Sequence, residues 1–311
     1  MQSASVHEPV LLHEIVEIFV KSQGERRKQK GESNHSLIYV DGTLGGGGHA
    51  KAIAKAFDNK LTLIGIDNDP VAIERATKEL ATVASKVIIE KGNFRDIDKI
   101  LLRNSSEFVD MILLDLGISS DELETSGRGF SFQKDEPLHM TMGDPKDHPF
   151  DAGKIVNTWA EEDIANVIYA YGEDTFARRI AKYIVNYRQK KTIDTTTELA
   201  EIVKNAVPAF RRGKIHPATK TFQALRIAVN DELNAIKEGL NKAFEHLRKG
   251  GVLQVISFHS LEDRIVKQYF KEFETIGGKI LTKKPLTASD QELAENPRSR
   301  SAKLRAIIKQ E

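Results

Sequence analysis

The sequence predicts an α/β protein, a Rossmann-like sheet of parallel strands covered by helices on both faces and interrupted by a helical insertion. Three observations predict it. Short apolar runs alternate with helical stretches between Leu37 and Ser120, and a turn packed with glycine joins the first such run to the first helix. After Ser120 the alternation stops for about a hundred residues, which read as helices instead.

The alternation places strands at 38–41, 61–67, 86–90 and 109–115, with helices at 48–57, 70–84 and 95–103 between them. Apolar runs separated by amphipathic segments are the pattern of βαβ units, whose crossover helices cover a buried parallel sheet. Asp41, Asp67, Asn93 with Phe94, and Asp115 all fall where a strand ends, at the carboxyl edge on which open α/β sheets bind ligands.

The stretch from Asp121 to Phe150 is rich in Gly, Pro and charge. Helices are then predicted at 161–171, 174–188 and 196–207; three in succession cannot be crossover helices without strands between them. A long amphipathic helix is predicted over 221–247, stopped by Lys249-Gly250-Gly251. The run 252–257 resumes the sheet, and 279–281 with 303–308 predict a closing antiparallel pair. The domain boundaries that follow are 1–120 for the first part of the sheet domain, 121–221 for a basic helical insertion, and 222–311 for the second part. A basic run at Arg26-Arg27-Lys28 and Lys30, inside a polar stretch from Lys21 to Ser36, reads as a flexible surface loop.

The chain has 311 residues, 40% of them hydrophobic, enough for a substantial core. It contains no run of 18 apolar residues, and the start lacks a basic segment followed by an apolar one, so a soluble cytoplasmic protein is expected. The absence of cysteine excludes disulfides, thiolate nucleophiles and thiolate zinc sites, those of nucleobase deaminases included, and no metal is expected. Net charge is +1, but its distribution is uneven. Between Phe176 and Arg226 twelve Lys and Arg face three acids, a local +9 that leaves −8 for the rest. Such segregation suits a region that meets a polyanion.

The glycine turn reads Val40-Asp41-Gly42-Thr43-Leu44-Gly45-Gly46-Gly47-Gly48-His49. Glycine there lets backbone N–H groups approach a ligand at a helix N-terminus, as in sites for nucleotide-like cofactors. Gly45-x-Gly47-x-x-Ala50 also satisfies the dinucleotide fingerprint, and Asp67 stands where a ribose-binding acid belongs. NAD and S-adenosylmethionine both remain open on the loop alone. Acids at Asp41 and Asp115 favour the second, which carries an ammonium and a sulfonium where a dinucleotide carries a pyrophosphate. Asp67 alternatively caps the helix that begins near Pro70, and Phe94 alternatively belongs to the core.

Further motifs are Asp115-Leu116-Gly117-Ile118-Ser119-Ser120, Arg128-Gly129-Phe130-Ser131-Phe132, the run from Lys214 to Arg226 (KIHPATKTFQALR), Ser257-Phe258-His259-Ser260-Leu261-Glu262-Asp263-Arg264, and Asn296-Pro297-Arg298-Ser299-Arg300-Ser301. With the glycine turn, in this order and across nearly the whole chain, they resemble the RsmH (MraW) family of bacterial methyltransferases. The resemblance implies a class I, Rossmann-like S-adenosylmethionine methyltransferase sheet with an inserted helical substrate-recognition domain. It implies S-adenosylmethionine as cofactor and the N4 amine of a decoding-centre cytidine as acceptor. The implied partner is 16S rRNA within the small ribosomal subunit, with a homodimer left open and no membrane. Cofactor contacts carry over to Gly46, Gly47, Gly48, His49, Asp67, Phe94, Asp115 and Glu122, and catalytic roles are expected of Asp115, Ser119 and His259. Two departures stand out: where the family usually reads Leu-Asp-Met-Arg-Met this chain has Leu138-His139-Met140-Thr141-Met142, and Glu122 replaces a glutamine.

A cytosine amine is a poor nucleophile because its lone pair is delocalised into the ring. Acceptors that hold its N–H bonds in line with the methyl group would raise its reactivity. Asp115 is the first choice for that acceptor; the alternative is that it binds only the cofactor's ammonium. A DNA amino-methyltransferase and an RNA-binding protein without cofactor affinity are the competing readings.

Overall fold

The computed structural model describes residues 9–30, 36–119, 123, 126–213 and 215–310, with the backbone alone for 25–30 and 147. They divide into two compact units, Met1–Gly117 with Leu233–Glu311, and Ile118–Glu232.

The first unit is built on a seven-stranded sheet in the order β3-β2-β1-β4-β5-β7-β6. Its strands are β1 (Leu37–Asp41), β2 (Leu61–Asp67), β3 (Lys86–Lys91), β4 (Val109–Asp115), β5 (Leu247–Ser257), β6 (Gly278–Ile280) and β7 (Lys303–Lys309). The five strands from β3 to β5 pair in parallel, while β7 runs antiparallel to both β5 and β6.

Alternation along each strand sorts the core into two layers. Val40, Ile64, Ile66, Ile112, Leu114, Leu253 and Val255 face one layer. There they meet α4 (Ile97–Arg103), α10 (Glu232–Glu245) and α11 (Ser260–Glu274), through Ile100, Leu240, Phe244, Phe270 and others. Tyr39, Leu61, Leu63, Met111, Leu113, Val252 and Ile256 face the other. That layer is covered by α1 (Leu12–Lys30), α2 (Gly48–Ala56) and α3 (Pro70–Leu80), through Ile15, Phe19, Ile53 and Leu80. A short helix, α12 (Asp290–Glu295), precedes β7.

Helix α1 corrects the sequence reading. Residues up to Lys30 continue a helix where a loop from Lys21 was expected. The polar run obscured it, because the helix buries its apolar side chains in its first half, at Ile15 and Phe19. Its main chain is also used: the buried Gln254 of β5 donates from Nε2 to Ile15 O at 2.9 Å.

The second unit holds α5 (Ala152–Thr158), α6 (Glu161–Gly172), α7 (Ala177–Arg188), α8 (Thr196–Ala206) and α9 (Ala218–Asn230) around its own core, centred on Ile155, Ile168, Ile180, Leu199, Val203 and Leu225. Helix α8 starts in a capping box: Thr195 accepts from the Glu198 N–H while the Glu198 side chain accepts from Thr195. Arg128 donates to Thr141 O and Gly143 O, both at 3.1 Å, fixing the loop that carries the departures from the family pattern. In it, His139 Nδ1 lies 3.0 Å from Asp151 Oδ2, so an acid at 139 would instead face another acid.

The helix expected over 221–247 is two helices and the start of a strand. Helix α9 ends where Asp231 takes a left-handed φ of 50°, a conformation Asp tolerates better than most residues. Asn230 draws the chain out: its Nδ2 donates to Met140 O and its Oδ1 accepts from Met142 N. Further on, Leu247 already pairs with Val109, so Gly250 (φ 80°) interrupts a strand rather than capping a helix. Among the described residues no helix is long and apolar enough to cross a membrane.

Candidate active site at the carboxyl edge of the sheet

Because β1, β2 and β4 run in parallel, their terminal residues Asp41, Asp67 and Asp115 reach the same edge of the first unit. The loop after β1 crosses the strand ends and is stitched to each of them. Gly42 N donates to Leu113 O and Leu44 N to Ile66 O, both at 2.9 Å. Asp115 N donates to Thr43 Oγ1 at 2.7 Å, and Gly45 N to Asp67 Oδ2 at 2.7 Å.

The glycines answer to packing as well as to any ligand. Gly46 lies against the Arg75 guanidinium and Gly48 against Pro9. Gly47 precedes α2 at φ 78°, and a Cβ there would come within 2.9 Å of Leu80. Only glycine satisfies both demands at that position.

Asp41 and Asp115 form the electrostatic centre. Asp41 is buried; Tyr39 donates its hydroxyl to Oδ2 at 3.0 Å and Thr43 N donates to Oδ1 at 3.3 Å. Burial outweighs these bonds and pushes its carboxyl up to about 7. Asp115 is pushed up to about 8, by burial first and then by the charges of Asp41 and Glu262. Its side chain keeps 21% exposure, yet Oδ1 is buried and accepts no hydrogen bond from the described residues. His49, buried at the start of α2, brings Nδ1 to 3.8 Å from Asp115 Oδ2. Its Nε2 lies 2.9 Å from Val10 O, a pure acceptor, so the proton belongs on Nε2 and Nδ1 is the acceptor side.

Asp67 stands one strand further out. Its oxygens accept from Gly45 N and, at 2.8 Å, from Asp69 N; burial raises its carboxyl despite them. It does not cap α3. Asp69 does, accepting from Val71 N at 2.9 Å.

Phe94 follows β3 in a short 3₁₀ turn and is half-buried, packed on the core layer of α4 and α10. Its ring is seated on Gly239 of α10, where a Cβ would lie 2.4 Å from Phe94 Cδ2. His259 caps α11, its Nδ1 accepting from Glu262 N at 3.4 Å while Glu262 Oε2 accepts from Phe258 N at 2.7 Å and from His259 N at 3.2 Å. The helix it starts thus carries the Glu262 charge that acts on Asp115.

Asp41, Asp67, Asp115, the glycine turn and His49 are therefore gathered at one edge. Ser119 belongs to the second unit, and Glu122 lies outside the described residues, as does Ser120. Tyr39 and Thr43 escaped the sequence reading. In sequence Tyr39 is one more apolar strand residue and Thr43 part of the glycine turn, although Asp-Gly-Thr offers a hydroxyl beside an acid.

A sheet in this order, with antiparallel pairing confined to β7 and acids gathered after β1, β2 and β4, defines a class I, Rossmann-like methyltransferase. The chain belongs to the MraW methylase family, whose profile matches residues 4–310. Relatives include the ribosomal RNA small subunit methyltransferase H of Persephonella marina, 47% identical over 302 residues that cover 96% of this chain and 97% of that one. The protein of the same name from Deinococcus deserti is 48% identical, covering 97% of this chain and 92% of its own length. Among solved structures, NSun6 from Pyrococcus horikoshii aligns with a TM-score of 0.44 at 12% identity, over 100% of this chain and 57% of that one.

Proposed function

We propose that this protein transfers a methyl group from S-adenosylmethionine to the exocyclic N4 amine of a decoding-centre cytidine in 16S rRNA, with the small ribosomal subunit as substrate. The observation that carries the reading is Asp115, a strand-end carboxyl with a buried oxygen that no described residue donates to, in the field of a second buried carboxyl, Asp41. Such a pair is costly alone and is relieved by a cation. S-adenosylmethionine brings two, so the donor set fits it, and the family relatives supply the ribosomal RNA.

When bound, the cofactor supplies an electrophilic methyl group on a sulfonium. Asp67 keeps lone pairs beyond those used by Gly45 and Asp69 and would accept the ribose hydroxyls. The Phe94 ring would lie along the adenine. Gly46, Gly47 and Gly48 let the backbone approach the methionine end, beside His49, whose Nδ1 stands 3.8 Å from Asp115 Oδ2. Glu122 is assigned beside the cofactor by the resemblance alone.

Asp115, ionised once positive charge is near, holds an N–H of the cytosine amine and aims the nitrogen at the methyl group. Ser119 is assigned as a second acceptor. His259 has its Nδ1 engaged at the start of α11 and its Nε2 3.1 Å from Glu262 Oε1, so we assign it the positioning of that segment and give the departing proton to Asp115. The helical unit, with its basic stretch, is assigned to RNA recognition as an insertion in the sheet domain, where phosphate contacts fix register; the target base must leave its stack to react.

The test is transfer of radiolabelled methyl to small subunits that lack the modification, with nucleoside mass spectrometry of the product. N4-methylcytidine formed by the wild type and not by Asp115→Ala supports the assignment. Equal activity in the variant removes Asp115 from the mechanism, and no label from folded wild type that binds RNA overturns the activity.

A further inference from the structure

The twelve cations between Phe176 and Arg226 divide by use. Arg188 donates to Val156 O and Trp159 O, and Arg212 to Val207 O and Lys204 O. Arg226 is paired with Glu232, Lys191 with Glu198 and Lys204 with Glu201. These hold the helical unit together.

What α7 turns outward is different. Arg179, Lys182, Tyr183 and Asn186 are exposed at spacings of three and four residues, which is one helical face, and Lys190 is exposed in the turn just beyond the helix. The Arg179 guanidinium lies over the Tyr183 ring, 5.6 Å from its centroid. Beside that face a groove of about 550 Å³ runs between α7 and α8, walled by Tyr183 and Tyr187 on one side and by Thr197, Glu198, Glu201, Ile202 and Asn205 on the other.

We infer that this groove takes an unpaired nucleobase of the RNA substrate, stacked on Tyr183 and Tyr187, while the backbone phosphates on either side lie on Arg179, Lys182 and Lys190. The inference rests on the RNA-substrate reading above and adds to it a second contact, on the helical unit.

The volume is that of a small-molecule site, and flat aromatic walls beside exposed cations are how single strands are held. The acids on the wall do not repel a phosphate, because each already carries a lysine, Lys191 on Glu198 and Lys204 on Glu201. Two polar groups of the wall are partly engaged: Thr197 Oγ1 donates to Asp135, and Asn205 Nδ2 donates to Glu201. Stacking on the tyrosine rings is open to any base, so the groove discriminates weakly. An acidic peptide would satisfy the cations but leave the tyrosine walls without a flat partner.

The probe is a fluorescein-labelled single-stranded RNA of mixed sequence, bound to the full chain, followed by anisotropy beside methyl transfer to small subunits. Tyr183→Ala is expected to weaken RNA binding and raise the KM for subunits roughly tenfold, with kcat, S-adenosylmethionine affinity and melting temperature unchanged. Tyr183→Phe should stay within about twofold of wild type, since it keeps the ring. Ultraviolet cross-linking of the unaltered protein should attach RNA to the peptide holding Tyr183 and Tyr187. Wild-type affinity and KM in Tyr183→Ala, in an active protein, overturn the groove and leave the proposed function standing. Cross-links only to a ribosomal protein, or loss of binding confined to Arg179→Gln and Lys182→Gln, also overturn it. A wild type that methylates nothing, yet loses RNA affinity with Tyr183→Ala, overturns the function and keeps the groove.

Discussion

The carboxyl of Asp115 ties stability to pH in a definite direction. In the unfolded chain it titrates near its ordinary 3.8, in the folded protein near 8. Below about pH 4 both states hold the proton and the group costs nothing; as pH rises toward about 8, the folded state keeps a proton that the unfolded chain has released, and stability falls. Asp115→Asn removes this loss. Its melting temperature, measured without cofactor from pH 5 to 8.5, should therefore exceed that of wild type by a margin that grows with pH, and a constant margin would mean that Asp115 is already ionised when folded. Methyl transfer by the same variant should fall by roughly 10²–10³, the usual cost of losing one aimed group at a reacting centre. Thr141 offers a second test at this scale. It is buried, with Oγ1 finding no hydrogen-bond partner among the described residues. Thr141→Val should be neutral or stabilise by up to about 1 kcal/mol in urea denaturation, because removing an unsatisfied polar group of the same shape relieves a desolvation cost.

Two elements stand on single residues that local chemistry explains. The turn into α2 needs Gly47 for its left-handed φ and for contact with Leu80. Gly47→Ala should cost about 1–2 kcal/mol from the backbone alone, and more from the clash; S-adenosylmethionine affinity by calorimetry should fall with it, because the turn also carries Gly45 N to Asp67. Helix α8 stands on the Thr195 capping box, and Thr195→Ala should cost about 1 kcal/mol of stability without changing cofactor affinity. A loss of cofactor affinity in that variant would mean that the helical unit shapes the cofactor site.

Across the whole molecule, charge is the property that sequence position concentrates and folding distributes. Cofactor binding is expected to release about one proton near pH 7, because positive charge lowers the coupled Asp41 and Asp115 carboxyls from about 7 and 8. Calorimetry in buffers of different ionisation enthalpy measures it directly. Affinity should weaken by up to about tenfold per pH unit and per carboxyl below those values, since each proton must leave before the cation is paired. Binding of RNA should fall steeply with salt, with a slope that counts the phosphates the protein neutralises.

The sequence by itself determined the parallel sheet, its strand ends and the acids that stand on them, because apolar alternation and glycine turns are local signals. The run 61–67 and the run 109–115 are strands as read, and Asp41, Asp67 and Asp115 share an edge because parallel strands put their ends together. Local signals failed where distant groups supplied the bonds. Helix α1 outlasts its apolar face, and the long helix expected through Asp231 breaks because Asn230 is held by Met140 and Met142, some ninety residues earlier. Only the tertiary structure decided that Asp69 and not Asp67 caps α3, that Tyr39 and Thr43 serve the acid pair, and that Asp115 keeps a buried oxygen to which no described residue donates. Hydrogen-bond partners and burial depend on which chain segments meet, and a carboxyl's proton affinity depends on both; neither is written in the spacing of residues along the chain.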